Sequence, residues 1–267
     1  MKKYLAIFKI SFAQEFAYRL NFIMWRVRNI MQIILIFFLW SSVFSDPSRV
    51  VFGYDKARIL TYVFGILIIK AIVLSARTVE VAGEISSGDL TNFLLKPVNY
   101  FRYWFTRDLS SKALNLSFAA VETTILYFIL KPPFFIQTDI AQIVAFLLSL
   151  VLAIILFFGL LFLSNLITFW MPEQGWSAQF LVIVIISDFL SGGVFPLDIL
   201  PLAIQRTLYA LPFPYLLFFP LQVYLGKISG ATMWGGILIA MAWVLILMAG
   251  LNFVWNKGIR KYEAVGR

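Results

Sequence analysis

Lys70, Glu122 and Asp188 are ionisable residues set inside long apolar runs. Counted from the same end of their segments, Lys70 lies about ten residues deep and Glu122 about fourteen, roughly 6 Å of helix rise apart. A lysine stem covers that difference. A lone lysine or aspartate at the middle of a bilayer costs about 2.5–3.5 kcal/mol, so such groups pair or face a wet cavity. A Lys70–Glu122 pair is therefore expected, either as a structural link between packed segments or as part of a polar pathway. Asp188 stands near the end of its segment and is expected to cap backbone at the Gly192-Gly193 break.

Other chemistry is bounded by what the chain lacks. It has no histidine and no cysteine, which removes the commonest general base, the commonest metal ligands, thiolate chemistry and any disulfide framework; no metal site is expected. No Gly-x-x-x-x-Gly-Lys-Ser/Thr loop occurs, so the chain does not itself cradle ATP. An intramembrane aspartyl dyad needs two mid-span aspartates, and only Asp188 approaches one. Serines accompany Lys70 in apolar segments, but nothing in the sequence brings a Ser/Lys dyad together. An enzyme is the weakest reading.

The elements that hold these residues must be membrane spans. The chain is 61% hydrophobic, 18% aromatic and 13% charged, with mean hydropathy +0.90, values of an all-α polytopic membrane protein. The net charge of +9 flanks apolar runs, which fits orientation and anionic lipid better than nucleic acid. Tyr100, Phe101, Tyr103, Trp104 and Phe105, interleaved with Arg102 and Arg107, read as an interfacial belt beside a span rather than a base-stacking platform.

Six spans are expected, at 22–44, 58–80, 109–130, 140–170, 176–190 and 231–254. Residues 1–20 carry charges that exclude a signal peptide. Leu5, Phe8, Phe12 and Phe16 form a stripe suited to an interfacial helix, or to a helix packed on a partner or on the chain's own loop. Arg26 and Arg28 are placed to snorkel from the first span. The fourth span, 31 residues and about 46 Å as a helix, must tilt or project. Residues 194–227 are apolar yet hold Pro196, Pro201, Pro212, Pro214 and Pro220, too many lost donors for a lipid-facing helix. They read as a re-entrant pair of short helices dipping into the outer leaflet, one from Asp198 and Pro201 to Leu211 and one over Tyr215–Leu225. With the N-terminus inside, fifteen of the 22 basic residues fall on inner segments and six on outer ones, with Lys70 in mid-span. A seventh crossing in the Pro-rich stretch would erase that bias.

The loop at 81–108 organises the chain. Ser86 and Asp89 have capping-box spacing. Leu90, Phe93 and Leu94 then line one face of about two turns before Pro97 stops the helix. With Glu84 and Asp89 beside that ridge, the helix either inserts into a groove on another protein or lies as an ordinary inter-span loop on lipid.

Gly83-Glu84-Ile85-Ser86-Ser87-Gly88-Asp89-Leu90, followed by Phe93-Leu94-Leu95-Lys96-Pro97-Val98, resembles the cytoplasmic loop of permease subunits of type-2 ATP-binding-cassette (ABC) exporters. Gly192-Gly193-Val194-Phe195-Pro196 and Leu211-Pro212 are similar to that family's entry and turn before the last span. The resemblance implies a coupling helix between spans two and three that docks on separate nucleotide-binding ATPase subunits. It also implies ATP and Mg bound by that partner and no cofactor in this chain. A second permease copy or paralogue completes the passage, in a multi-pass cell-membrane complex with both termini cytoplasmic. Export of a lipid-linked, amphipathic or drug-like cargo is the implied activity. A self-sufficient secondary carrier or channel would normally show internal repeats, and none is found.

Overall fold

An apolar chain in lipid must satisfy its backbone amides within each segment, and a helix does this locally. The computed structural model describes residues 2–15, 19–46 and 50–262; among these, helices follow one another and no strand occurs. One tight turn pairs Val51 with Tyr54 through two backbone hydrogen bonds of 3.0 Å. Its central residues, Phe52 (φ 53°) and Gly53 (φ 71°), are both left-handed, the geometry of a two-residue hairpin.

Helix α1 (Lys2–Glu15) packs against the start of α6 (Tyr100–Leu130), so it lies on the chain's own structure. Leu5 is exposed while Phe8 and Phe12 are half-buried. Phe16, with Arg49 and Arg267 from the charge count, lies outside the described residues. Helix α2 (Arg19–Val43) leads through the Val51 turn to α3 (Lys56–Val73), whose first turn is capped by Asp55 accepting from the Arg58 amide at 2.7 Å. Then come the short helices α4 (Glu80–Ser86) and α5 (Leu90–Leu94). Helix α6 is capped by Asn99 and stops at Lys131, which is left-handed (φ 44°) before Pro132-Pro133. Helix α7 (Ile140–Asn165) continues as a 3₁₀ turn to Phe169. Helix α8 (Gly175–Phe180) rewinds into a π-helix over Leu181–Leu190, and α9 (Leu202–Tyr209), α10 (Phe218–Tyr224) and α11 (Gly230–Gly258) follow.

Six crossings are expected from the sequence. Four of the described helices are long and apolar enough to cross a membrane by length and composition: α2 over Arg26–Val43, α6, α7 with its 3₁₀ turn, and α11. Helix α3 carries three bases and is almost wholly buried among its neighbours. The helix expected over 58–80 ends at Val73, and the one expected over 109–130 starts nine residues earlier, at Tyr100. The aromatic cluster therefore forms the first turns of α6. Tyr100 and Trp104 are buried in a second core with Val81, Ile85, Leu90, Phe162 and Leu251.

Residues 216–223 are buried throughout, which puts α10 inside the bundle against α7 and α3. Two glycines make room for it. A Cβ on Gly65 of α3 would overlap the Leu221 side chain, and one on Gly236 of α11 would overlap the Phe219 ring. Gly236→Ala should therefore cost about 1–3 kcal/mol by overpacking. Its neighbour Gly235 has nothing within 4 Å of an added Cβ, so Gly235→Ala should gain up to about 1 kcal/mol of helix propensity. Thermal unfolding of the two variants in detergent should move in opposite directions.

Candidate functional site

Between α3 and α4 the chain turns a corner at residues 74–79, leaving a helix C-terminus and a helix N-terminus with free carbonyls and amides. Two residues one turn apart on α6 meet both. The buried Asp108 carboxylate accepts from the Arg77 amide (2.7 Å), the Thr78 amide (2.8 Å) and the Thr78 hydroxyl (2.6 Å). The buried Lys112 ammonium donates to the Val73 carbonyl at 2.9 Å and the Ser75 carbonyl at 2.5 Å. Asn165 of α7 donates to the Thr78 carbonyl (2.8 Å), and Gln179 of α8 to the Val79 carbonyl and to Asn165 (2.7 Å each). The sequence reading missed this hub. Its only local signal is an Asp and a Lys four apart in α6.

Above the corner, α2, α3, α6 and the π-helix enclose a cleft of about 980 Å³. It begins at Arg77, Glu80 and Arg107 and ends at Tyr62, Gly193 and Val194; no residue of α9 or α10 lines it. The expected Lys70–Glu122 pair is not formed. Lys70 pairs with Asp188 at 2.6 Å, both partly open to the cleft. Glu122 is buried and takes a bidentate bond from Arg26, whose Nε donates to Oε1 at 2.6 Å and whose Nη1 reaches Asn115 at 3.3 Å. Arg26 therefore turns inward instead of snorkelling: a planar guanidinium satisfies both oxygens of a buried carboxylate, which a lysine cannot. At the cleft's lower end Glu80 bridges Arg77 (2.6 Å) and Arg107 (3.1 Å), and Glu15 of α1 lies 3.7 Å from Arg77. Among the described residues no cluster of three or more acidic groups could hold a metal ion.

Asp188 does not cap the break with its side chain, which belongs to Lys70; its backbone carbonyl takes the Val194 amide at 3.1 Å. Gly192 is left-handed (φ 80°), and its carbonyl accepts from the Tyr62 hydroxyl at 2.6 Å. A Cβ on Gly193 would meet the Lys70 stem at 2.9 Å. The π-helix thus ends level with the stretch of α3 between Tyr62 and Lys70, about 12 Å of rise, inside the bundle. Pro196 enters the short turn Leu197–Ile199 and Pro212 the turn Phe213–Tyr215. This cap is tied to the Val51 turn by Asp198, which accepts from the Tyr54 hydroxyl (3.0 Å) and pairs with Lys227 (2.5 Å).

At the opposite end α4 and α5 form a knob. The expected capping box is absent: the Ser86 hydroxyl donates to Gly83 O at 3.1 Å, inside α4, and Asp89 is helical (φ −67°, ψ −17°), accepting from Ser87 at 2.7 Å. The ridge divides. Leu90 is fully buried and Phe93 meets Tyr100 edge-on and Tyr103 at a tilt, while Leu94 is 49% and its neighbour Leu95 81% exposed. Pro97 is exposed, and its carbonyl takes Lys3 at 3.0 Å. Gly88 (φ 86°) makes the α4–α5 link. The Tyr262 hydroxyl donates to the Gly88 carbonyl at 2.6 Å and accepts from the Thr91 amide at 3.3 Å, a tie between distant parts of the chain that no local pattern announces. Glu84 accepts from the Tyr100 hydroxyl at 2.7 Å. Burial raises its carboxyl from 4.5 to about 7, with Tyr100 and then Arg107 pulling it down.

Breaking a buried pair from one side strands a charge and costs about 3–5 kcal/mol. Glu122→Gln and Arg26→Met should each approach that range, and Lys70→Met or Asp188→Asn less, because the cleft rehydrates the survivor. Chemical or thermal unfolding of the four single variants checks the order. For Glu84 the folded-state value lies above the unfolded one, so its protonated form contributes stability that is whole below about pH 4.5 and is lost as pH rises through about 7. Glu84→Gln should flatten the fall in thermal stability of the parent between about pH 5 and about pH 8.

A family model described as ABC-2 family transporter protein matches residues 30–266. No curated protein and no solved structure matches the chain at a significant level. The match covers the knob and the cleft lining from Gln32 onward, and the all-helical bundle with its apolar helices agrees with it. The chain is a multi-pass membrane protein and belongs to the ABC-2 transporter family, as a permease of an ABC transporter.

Proposed function

We propose that the chain is the permease subunit of an ABC exporter, driven through the α4–α5 knob by a separate ATPase that binds ATP and Mg. The observation that carries this reading is the pairing of a half-closed cleft with an exposed apolar knob on one corner. The cleft starts at the corner and stops under the Gly192-Gly193 break, while the knob presents Leu94 and Leu95 to a partner. In this reading α2, α3, α6, α7, α8 with its π extension, and α11 are six crossings, the knob and both termini are cytoplasmic, and residues 194–227 re-enter from outside as a cap. Fifteen of 22 basic residues then fall inside, in line with the positive-inside rule. A second copy or a paralogue would supply the other half of the passage. A cleft with apolar walls and ion pairs at two levels suits an amphipathic, lipid-linked or drug-like cargo.

The knob tip is the place to test this. Leu94→Asp together with Leu95→Asp changes exposed side chains only, so thermal stability should stay at the parental value. Co-purification with the neighbouring-gene ATPase should fall by about tenfold or more, about 1.4 kcal/mol or more of binding. ATPase recovered at parental yield would overturn the reading. Leu90 is unsuitable for this purpose, because its burial would confound docking with folding.

A further inference from the structure

Helix α11 touches both ends of the molecule. It is 29 residues long, about 43 Å of helix, and carries no charged residue before Lys257. At the knob end its last turn is stacked into aromatic rings: Trp255 lies on Tyr100 at 5.1 Å, and Phe169 would overlap any Cβ on Gly258. The chain then makes one hydrogen-bonded turn, Lys261 amide to Gly258 carbonyl at 2.9 Å, and delivers the Tyr262 hydroxyl to Gly88 and Thr91, the link of the knob itself. Toward the other end Trp243 Nε1 donates to the Ala210 carbonyl at the end of α9 (3.1 Å), and Phe219 of α10 sits in the Gly236 notch.

The route through α3 is pinned: Lys112 holds its last carbonyls and Lys70 its partner Asp188. The contact of α11 with α7 is different. It is apolar on both sides, closely approached at Gly159 opposite Leu247 and Met248, and no side-chain hydrogen bond or ion pair joins the two helices among the described residues. A rod on such a surface can shift without breaking a polar bond.

Resting on the reading of the chain as an ATPase-driven permease, we propose that α11 transmits displacement of the α4–α5 knob to the 201–224 cap, with Tyr262 as the positioning residue at the knob and Trp243 at the cap. The chain has no cysteine, so a spin-label pair can be placed at will. Ile136→Cys and Arg206→Cys, both on exposed positions of the cap end, report the cap distance in the lipid-reconstituted complex with and without ATP and vanadate. The parent should show a nucleotide-dependent distance change. Tyr262→Phe keeps the ring and loses only the hydroxyl; it should lose about half or more of the cap change per ATPase bound. Trp243→Phe should do the same, and the double variant no more than either, as expected for two contacts in series. A parental cap change in Tyr262→Phe, or losses that add in the double variant, would overturn the proposal. If Tyr262→Phe loses ATPase recovery, Trp243→Phe, remote from the knob, decides alone. A parent that binds the ATPase and shows no cap change overturns this proposal alone, whereas a parent with no ATPase bound shows that the ATPase-driven reading has failed, and the proposal falls with it.

Discussion

The bend between α3 and α4 is the constraint on which the rest is built. A chain that stops one helix and starts another inside an apolar bundle leaves several carbonyls and amides without a partner in either helix, and each one left buried and unsatisfied costs about 1–3 kcal/mol. Asp108 and Lys112 resolve this with opposite charges at opposite helix ends, each placed where the helix dipole favours it. Because both stand on α6, the bend, the lower end of the cleft and the knob are held to one helix. The cleft's lower carboxylate, Glu80, is the first residue of α4, so the same clamp that orders the bend also orders the cleft's mouth.

Charge inside the bundle is balanced level by level. Arg26 and Glu122 neutralise each other in the cleft wall, Lys70 and Asp188 do so further along it, and Glu80 shares two arginines at its mouth. The two kinds of pair differ in solvent contact. The bidentate Arg26–Glu122 bond is closed in, and fixes α2 against α6. The Lys70–Asp188 contact is single and half-open, which leaves it able to exchange with water or with a polar group entering the cleft.

Much of this was legible in the residues. Apolar runs and turn signals gave the all-helical class. The exposed half of the knob and the Pro-rich stretch with its short helices were marked by composition. What escaped was everything that depends on which way a helix faces. Depth counting brought Lys70 near Glu122 and left Asp188 at the outer end of its short segment; the π-helix ends inside the bundle, level with Lys70, and puts Asp188 beside it. Ser86 and Asp89 match a capping pattern, yet α4 already spans Ser86, so its hydroxyl has a carbonyl within its own helix. The inward turn of Tyr100 and Trp104 escaped because it depends on where α6 starts, at Tyr100 behind its Asn99 cap. Tyr262 lies 171 residues from Thr91, beyond the reach of any local pattern.

The winding of residues 181–190 has a further consequence. In a π-helix each amide reaches five residues back, as Ser191 does to Ile186, so the coil is wider and shorter per residue than an α-helix. Rewinding even one turn would lengthen this stub and swing Asp188 around its axis, with Gly192 and Gly193 absorbing the twist. A stub whose length depends on its winding therefore carries Asp188 to the end of the cleft at Gly193 and Val194.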